Sequence, residues 1–309
     1  MGAASFRYRL GLNQPIGSPT QKRLTEMAEA IGHETNGQFR LEVFPESQLG
    51  PDPQMFADLR AGRLEFMVAG ATLGGVAPTS ALPLLPFAFK DSAAVFAALD
   101  GALGDKIRSE LAQNGLHAFR LSMQNGFHHL TTSTRPIHSA ADLAGVKIRS
   151  PGGEIAQDFF ATFGAEAGYV PFSGMYDALK QRSFDGQSDP LGVVLSLKLY
   201  EVQTYLSLTG HWWSGFTLLA NAGAWTALPR DIQEVVERNA EKHALLQRQD
   251  TEQINAAGAE ELARRGMIVD TADTASFRSA LGPFYARWRE RAGPAAWRLL
   301  ETYAGEIGA

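Results

Sequence analysis

The chain has 309 residues, 45% hydrophobic and 20% charged, with a net charge of −5; it is too long for one small core, so about two domains are expected. Without a basic run it lacks the clustered Lys and Arg that neutralise phosphates, which argues against nucleic acid, and no apolar stretch approaches the roughly 18–20 residues of a membrane helix. The absence of cysteine rules out disulfides, thiolate metal sites and a cysteine nucleophile.

Met1–Ala4 leads almost directly into strand-like sequence, with no secretory leader. The start reads as that of a mature exported chain, although a cytoplasmic protein would begin the same way. Phe6–Leu12 alternates and reads as a strand. After a Pro/Gly/Ser loop at Gln14–Pro19, Thr20–Thr35 predicts an amphipathic helix with Leu24, Met27, Ala28 and Ile31 on one face. Asn36-Gly37 ends it, since both tolerate positive φ. A strand follows at Phe39–Phe44, a short helix at Pro51–Ala61 and a third strand at Leu64–Ala69. This β-α-β-α-β order implies a mostly parallel sheet, which binds ligands at the carboxyl ends of its strands.

The pattern then restarts. Strands are expected at His117–Met123, His129–Ser133 and Val146–Arg149, the last running into Pro151-Gly152-Gly153 and a helix at Glu154–Phe163. A strand at Tyr169–Pro171, a helix at Ser173–Gln181 and a turn or short strand at Gly186–Asp189 follow. Pro229–Arg265 reads as one long helix with Pro229 in its first turn. Two α/β units in series imply two lobes with a cleft between them.

Catalytic motifs are missing. There is no Gly-x-Ser-x-Gly elbow, no Gly-x-x-x-x-Gly-Lys loop and no His-Glu-x-x-His. His128 and His129 are adjacent, so on a strand they point to opposite faces and make, with His138, only a weak metal suggestion. A cleft without nucleophile and base points to binding rather than turnover.

Five segments, in order, carry a family resemblance: Asn36–Pro45 with Ser47–Gly50, Asn125–Thr131 with Arg135–Ile137, Asp142–Pro151, Phe184–Pro190, and Tyr200–Leu206 with Thr209–His211. Together they resemble the substrate-binding proteins of TRAP-type transporters. The resemblance implies an α/β two-lobe periplasmic binding-protein fold with crossing strands and a long helix spanning both lobes. Lobe I is expected over residues 1–124 and 213–250, and lobe II over 125–212 and 251–309. It further implies a periplasmic location, no cofactor, a membrane permease as partner, and action as a monomer.

Arg149, at a strand end before a Pro-Gly-Gly turn, can hold a carboxylate with two parallel hydrogen bonds beside a helix N-terminus; alternatively it forms a structural ion pair. In the family, the arginine of this Lys-Ile-Arg motif clamps the ligand carboxylate. Two positions depart from the family pattern: His128 stands where arginine is common, and Asp189 where an asparagine faces the carboxylate. An ionised Asp189 only accepts hydrogen bonds, so it either meets a ligand hydroxyl or ammonium, or pairs with Arg149. Both changes remove positive or donor character, which disfavours a plain dicarboxylate. Trp212 and Trp213 are candidates for an aromatic wall, the resemblance matching Trp213. Phe172 matches a pocket aromatic, Phe66 is a looser candidate, and Gln14, Gly70, Ala71 and Gly152 complete the expected lining. The expected ligand is a small organic acid with one carboxylate and a hydroxyl or amine. The alternatives are a zwitterion or amine held by Asp189 and the aromatics, or, remotely, an enzyme's substrate.

Overall fold

Strand β1 (Phe6–Gly11) pairs in parallel with β2 (Phe39–Phe44) and with β3 (Phe66–Ala69), the crossovers being α1 (Pro19–Glu34) and α2 (Asp52–Arg60). The computed structural model describes residues 5–151 and 153–308, so Met1–Ala4, Gly152 and Ala309 lie outside it. Ser18 caps α1 by accepting from the Gln21 amide, and Pro19 opens the helix where a missing N–H costs nothing. Leu24, Met27 and Ile31 are buried on one face, as their spacing requires. Asn36 and Gly37, at φ 52° and 77°, end the helix.

The expected strand at His117–Met123 is two strands, β4 (Leu116–Ala118) and β5 (Met123–Phe127), preceded by α3 (Ser92–Leu99) and α4 (Ala102–Gln113). The chain then passes through His128 into β6 (His129–Thr132), a member of a second sheet. That sheet adds β7 (Lys147–Ser150), α5 (Glu154–Thr162), β8 (Glu166–Tyr169), α6 (Met175–Lys180), β9 (Gly186–Asp189), α7 (Leu191–Ser196) and β10 (Tyr205–Leu208). A second crossing at Thr209–Trp212 leads back into β11 (Trp213–Asn221) of the first sheet. α8 (Ala222–Thr226), α9 (Arg230–Arg264), β12 (Ile268–Thr271), α10 (Thr274–Ser279) and α11 (Gly282–Ala304) complete the chain. The first sheet runs β2-β1-β3-β11-β4, with β5 paired to β11, and the second β12-β10-β6-β9-β7-β8.

The two sheets form two lobes joined by the paired crossings and by α9. At 35 residues, α9 is about 52 Å long at 1.5 Å per residue, enough to reach both. It packs on α1 and β5 of one lobe and on α7 and β12 of the other. Its inner face is polar where it meets the crossing. The Gln247 amide accepts from the Gln124 N–H at 2.8 Å and donates to the Gln124 carbonyl at 2.7 Å. Asn255 donates to the Asn125 carbonyl and accepts from the Gly192 N–H, both at 2.9 Å. These bonds satisfy main-chain groups of β5 and of the first turn of α7 beside the crossing. Gly258 lets α9 approach α7, because a Cβ there would sit 2.6 Å from the Leu191 Cβ.

α11, bent at Gly293 (φ 75°) before Pro294, packs on α3 and α4 and also touches α5. It therefore bridges the lobes instead of following the second sheet alone. Arg291 reaches Glu154 at 3.0 Å and the Trp288 indole N–H donates to Asp158 at 3.2 Å across this contact.

Candidate functional site

The carboxyl ends of β1, β3, β7 and β9 converge on a cavity of about 330 Å³ between the lobes, where open α/β sheets bind ligands. Asn13, Gln14, Asp52, Gly70 and Ala71 line it from the first lobe, and Arg149, Gln157, Phe172 and Asp189 from the second. Trp212 and Ser214, beside the crossing, close the back. A second cavity of about 410 Å³ adjoins it through Gly70, Ala71, Leu84, Gly153 and Ile155.

Arg149 sits on β7, just before the turn into α5, whose cap Gly153 has φ 89°, a region that strains any other residue. The residue is 1% exposed and its side chain is held from two sides. Nε and Nη2 both donate to the Val170 carbonyl, at 3.1 and 3.0 Å, and Nη1 donates to Asp189 Oδ2 at 2.7 Å. A guanidinium has five N–H donors, so two remain without a partner among the described residues. The fork is thus immobilised before any ligand arrives. The Phe172 ring flanks it, with its centroid 5.9 Å from the guanidinium carbon.

Asp189 is also 1% exposed. Burial pushes its carboxyl up to about 6, while the Arg149 guanidinium pulls in the opposite direction. Asp52, opening α2 on the other lobe, accepts at Oδ2 from the Asn13 amide at 2.6 Å. Its Oδ1 is shielded from solvent and has no partner among the described residues. Burial raises this carboxyl too, opposed by the Asn13 hydrogen bond and by the charge on Arg149.

His128 is neutral at working pH, because burial lowers its imidazole to about 3. Its Nδ1 lies 3.1 Å from the Ser188 carbonyl, which can only accept, so the proton is assigned to Nδ1. Nε2 then accepts from the Ser214 hydroxyl at 2.7 Å. The chain continues through the Ser188 hydroxyl, 2.9 Å from His211 Nε2, to Thr209, 2.7 Å from His211 Nδ1. Burial lowers His211 well below its ordinary range. His128 therefore ties the two crossings together as a neutral link and adds no cation to the cavity. His129 faces the Gly210 N–H instead, and His138 pairs with Asp270 away from the cavity.

The structure brings Arg149, Asp189, His128, Phe172, Trp212, Gln14, Gly70 and Ala71 to one cavity. Gly152 lies outside the described residues. Phe66 does not reach the cavity: it starts β3, at the end away from the cleft, and packs at 5.8 to 6.4 Å from Phe119, Tyr8 and Phe39. Trp213 also points elsewhere. Successive residues of an extended segment face opposite sides, so Trp212 lines the cavity while Trp213 packs edge-on against Phe96 at 5.7 Å. Sequence reasoning missed Asn13, Asp52, Asn125, Tyr169 and Ser214. Asn13 was within reach of the strand-end rule, since it lies two residues past the end of β1. Asp52 reads from sequence only as a favourable first-turn charge.

Residues 10–291 match the family model of bacterial extracellular solute-binding proteins, family 7. The chain is 30% identical over 256 residues to the 2,3-diketo-L-gulonate-binding periplasmic protein YiaO of Escherichia coli (strain K12), covering 82% of this chain and 78% of that one. It superposes with a TM-score of 0.91 and 29% identity on a TRAP periplasmic solute-binding protein from Polaromonas sp. JS666 bound to D-erythronate, covering 98% and 99% of the two chains. The sugar acid-binding protein DctPAm of Advenella mimigardefordensis, in complex with galactonate, gives a TM-score of 0.92 at 27% identity, with 98% and 99% covered.

Proposed function

The chain belongs to family 7 of the bacterial extracellular solute-binding proteins, and from that premise we propose that it is the periplasmic capture component of a TRAP-type transporter for a small hydroxylated acid with one carboxylate. The family and its solved relatives are transport binding proteins, not enzymes. One observation carries the ligand reading. Arg149 is the single cation lining the cavity among the described residues, and it presents two unused donors on an immobile fork. A carboxylate uses both donors in parallel. A second carboxylate would find no cation, since His128 is neutral. The relatives bound to D-erythronate and galactonate support the same class.

A second reading has one observation in its favour. Two carboxyl side chains, Asp52 and Asp189, line the same cavity, so an ammonium beside the clamped carboxylate, as in a zwitterion, also finds a partner.

The acid bridges both lobes and draws them together, shifting the population towards the closed form that docks on the membrane permease. Among the described residues no helix is long and apolar enough to cross a membrane; the permease enters this reading through the family.

A thermal-shift panel tests the proposal, because a ligand that binds only the folded state stabilises it by mass action, about 2.7 kcal/mol at a hundred times Kd. D-erythronate, galactonate and related sugar acids are expected to raise the melting temperature. C4-dicarboxylates and simple amines are expected to leave it unchanged. A dominant shift with an amine lacking a carboxylate would remove Arg149 from its assigned role.

A further inference from the structure

The cleft does not end at the cavity of Arg149. The second cavity, of about 410 Å³, opens from it past Gly70, Ala71, Leu84, Gly153 and Ile155. This neck carries no polar side chain, and three of its five residues are glycine or alanine. Gly153 leaves room there, since a Cβ on it would meet nothing within 4 Å. The first cavity alone, at about 330 Å³, lies near the bottom of the roughly 300–1,000 Å³ usual for small-molecule sites. The two joined lie well inside that range.

The two cavities differ in chemistry. Asn13, Gln14, Asp52, Asn125 and Asp189 stand around the first, with Arg149. The walls of the second are Pro78, Ala81 and Leu82 from the segment after β3, and Trp288 and Ala292 from α11. Its polar groups are already engaged. The Trp288 N–H donates to Asp158 at 3.2 Å, and Arg291 donates to Glu154 at 3.0 Å in a half-exposed pair at the rim. Arg291 is thereby neutralised and offers no place for a second carboxylate. Ser80 is the one remaining polar side chain that lines this cavity among the described residues. A polyhydroxylated chain placed here would give up water for walls that return almost no hydrogen bonds, which is costly. An alkyl or aryl group placed here gains from every apolar surface it removes from water.

We propose that the second cavity is a subsite for an apolar tail, so that this protein takes amphipathic acids: a carboxylate and hydroxyl in the first cavity, and an alkyl chain or aromatic ring passing between Ala71 and Ile155 into the second. This rests on the reading of Arg149 as the carboxylate clamp, which sets the direction in which the tail leaves. A sugar acid is held in the first cavity alone and leaves the second to water. Each methylene of a tail buried beyond the neck is worth about 3- to 4-fold in affinity, so chain length reports directly on whether the second cavity is used.

The test is isothermal titration of the wild type, Gly74→Leu and Ala81→Phe with α-hydroxybutyrate, α-hydroxycaproate, α-hydroxycaprylate, phenyllactate and galactonate. Gly74 has no positive φ and an added Cβ there meets nothing within 4 Å, so a side chain enters without backbone strain. Both variants are checked for folding by circular dichroism melting. In the wild type, lengthening the α-hydroxy acid from six to eight carbons is expected to raise affinity by at least ~10-fold, and phenyllactate should exceed α-hydroxybutyrate. Filling the second cavity should cut the ratio of caprylate to butyrate affinity by at least ~10-fold while moving galactonate by less than about threefold. A wild type that gains nothing with chain length would overturn the tail subsite and leave the clamp at Arg149 standing. So would a gain that survives in both folded variants, which would place the tail elsewhere, or equal losses for caprylate and galactonate, which would place the effect of filling on the first cavity or the fold. Binding of no hydroxy acid of any length by the wild type would overturn the proposed function, and this inference with it.

Discussion

Arg149→Ala is expected to weaken binding of the transported acid by at least ~100-fold, in line with the roughly 2–5 kcal/mol lost when one member of a buried, hydrogen-bonded charge pair is removed. The reason lies in the preparation of the site. Three donors of Arg149 are already committed to Val170 and Asp189, so the remaining two are presented without the rotamer entropy a free arginine would lose. The variant also leaves Asp189 buried without its partner. A bare buried charge costs about 3–5 kcal/mol, so the folded variant takes up a proton at Asp189 instead. Its melting temperature should therefore fall most at high pH and recover on acidification. Arg149→Lys separates charge from geometry: an ammonium keeps the charge but cannot supply two parallel donors, so its affinity should lie between the two. Titration calorimetry decides the matter. An alanine variant that folds and binds within about threefold of wild type would leave the clamp without support.

Asp189→Asn is expected to act in the opposite direction and to tighten binding of a simple carboxylate by ~10- to 100-fold at neutral pH. A carboxylate on Arg149 lies close to Asp189, and two charges about 5 Å apart repel by roughly 3 kcal/mol at an effective dielectric of 20. Asparagine removes that repulsion while its carbonyl still accepts from Arg149. The pH dependence has a definite sign. Burial raises the Asp189 carboxyl from 3.8 to about 6 in the folded chain. Its contribution to stability is thus complete below its unfolded value and is lost as pH rises through about 6. Carboxylate affinity follows the same course, because the protonated group does not repel. Wild-type affinity should therefore decline between pH 5 and 7 and level off above, whereas the asparagine variant should be flat over that range. A wild-type profile with no step there, or a variant with the same step, would show that Asp189 stays in one protonation state throughout. His128 contributes nothing to this window, since it titrates near 3.

Much of the architecture can be read from periodicity because it depends on local burial. Leu24, Met27 and Ile31 announce α1, and the alternation in Phe39–Phe44 announces β2. The 35-residue α9 is equally visible between Pro229 and Arg265. What resists such reading is decided by distant partners. β11 pairs with β5 through its first residues and with β3 and β4 through its last, so no single alternation describes it. The final helix packs across both lobes, which no local pattern encodes. The site divides along the same line. Arg149 stands out because a strand end, a Pro-Gly-Gly turn and a helix start coincide there. Its pairing with Asp189, one of two alternatives open from the residues alone, depends on β7 and β9 lying side by side. Asp52 is silent in the sequence because the cavity it lines is completed by a lobe whose residues lie nearly a hundred positions away. Phe66 misleads because an aromatic in a strand looks the same at either end; only the direction of the strand places it in the core and Gly70 at the cleft.

The most direct test of the account is a crystal structure of the protein with the sugar acid that gives the largest thermal shift. The account predicts closed lobes, with both carboxylate oxygens of the ligand within hydrogen-bond distance of the two donors of Arg149 not used by Val170 and Asp189. A ligand whose carboxylate lies away from Arg149, with the guanidinium still bound only to Val170 and Asp189, would contradict it.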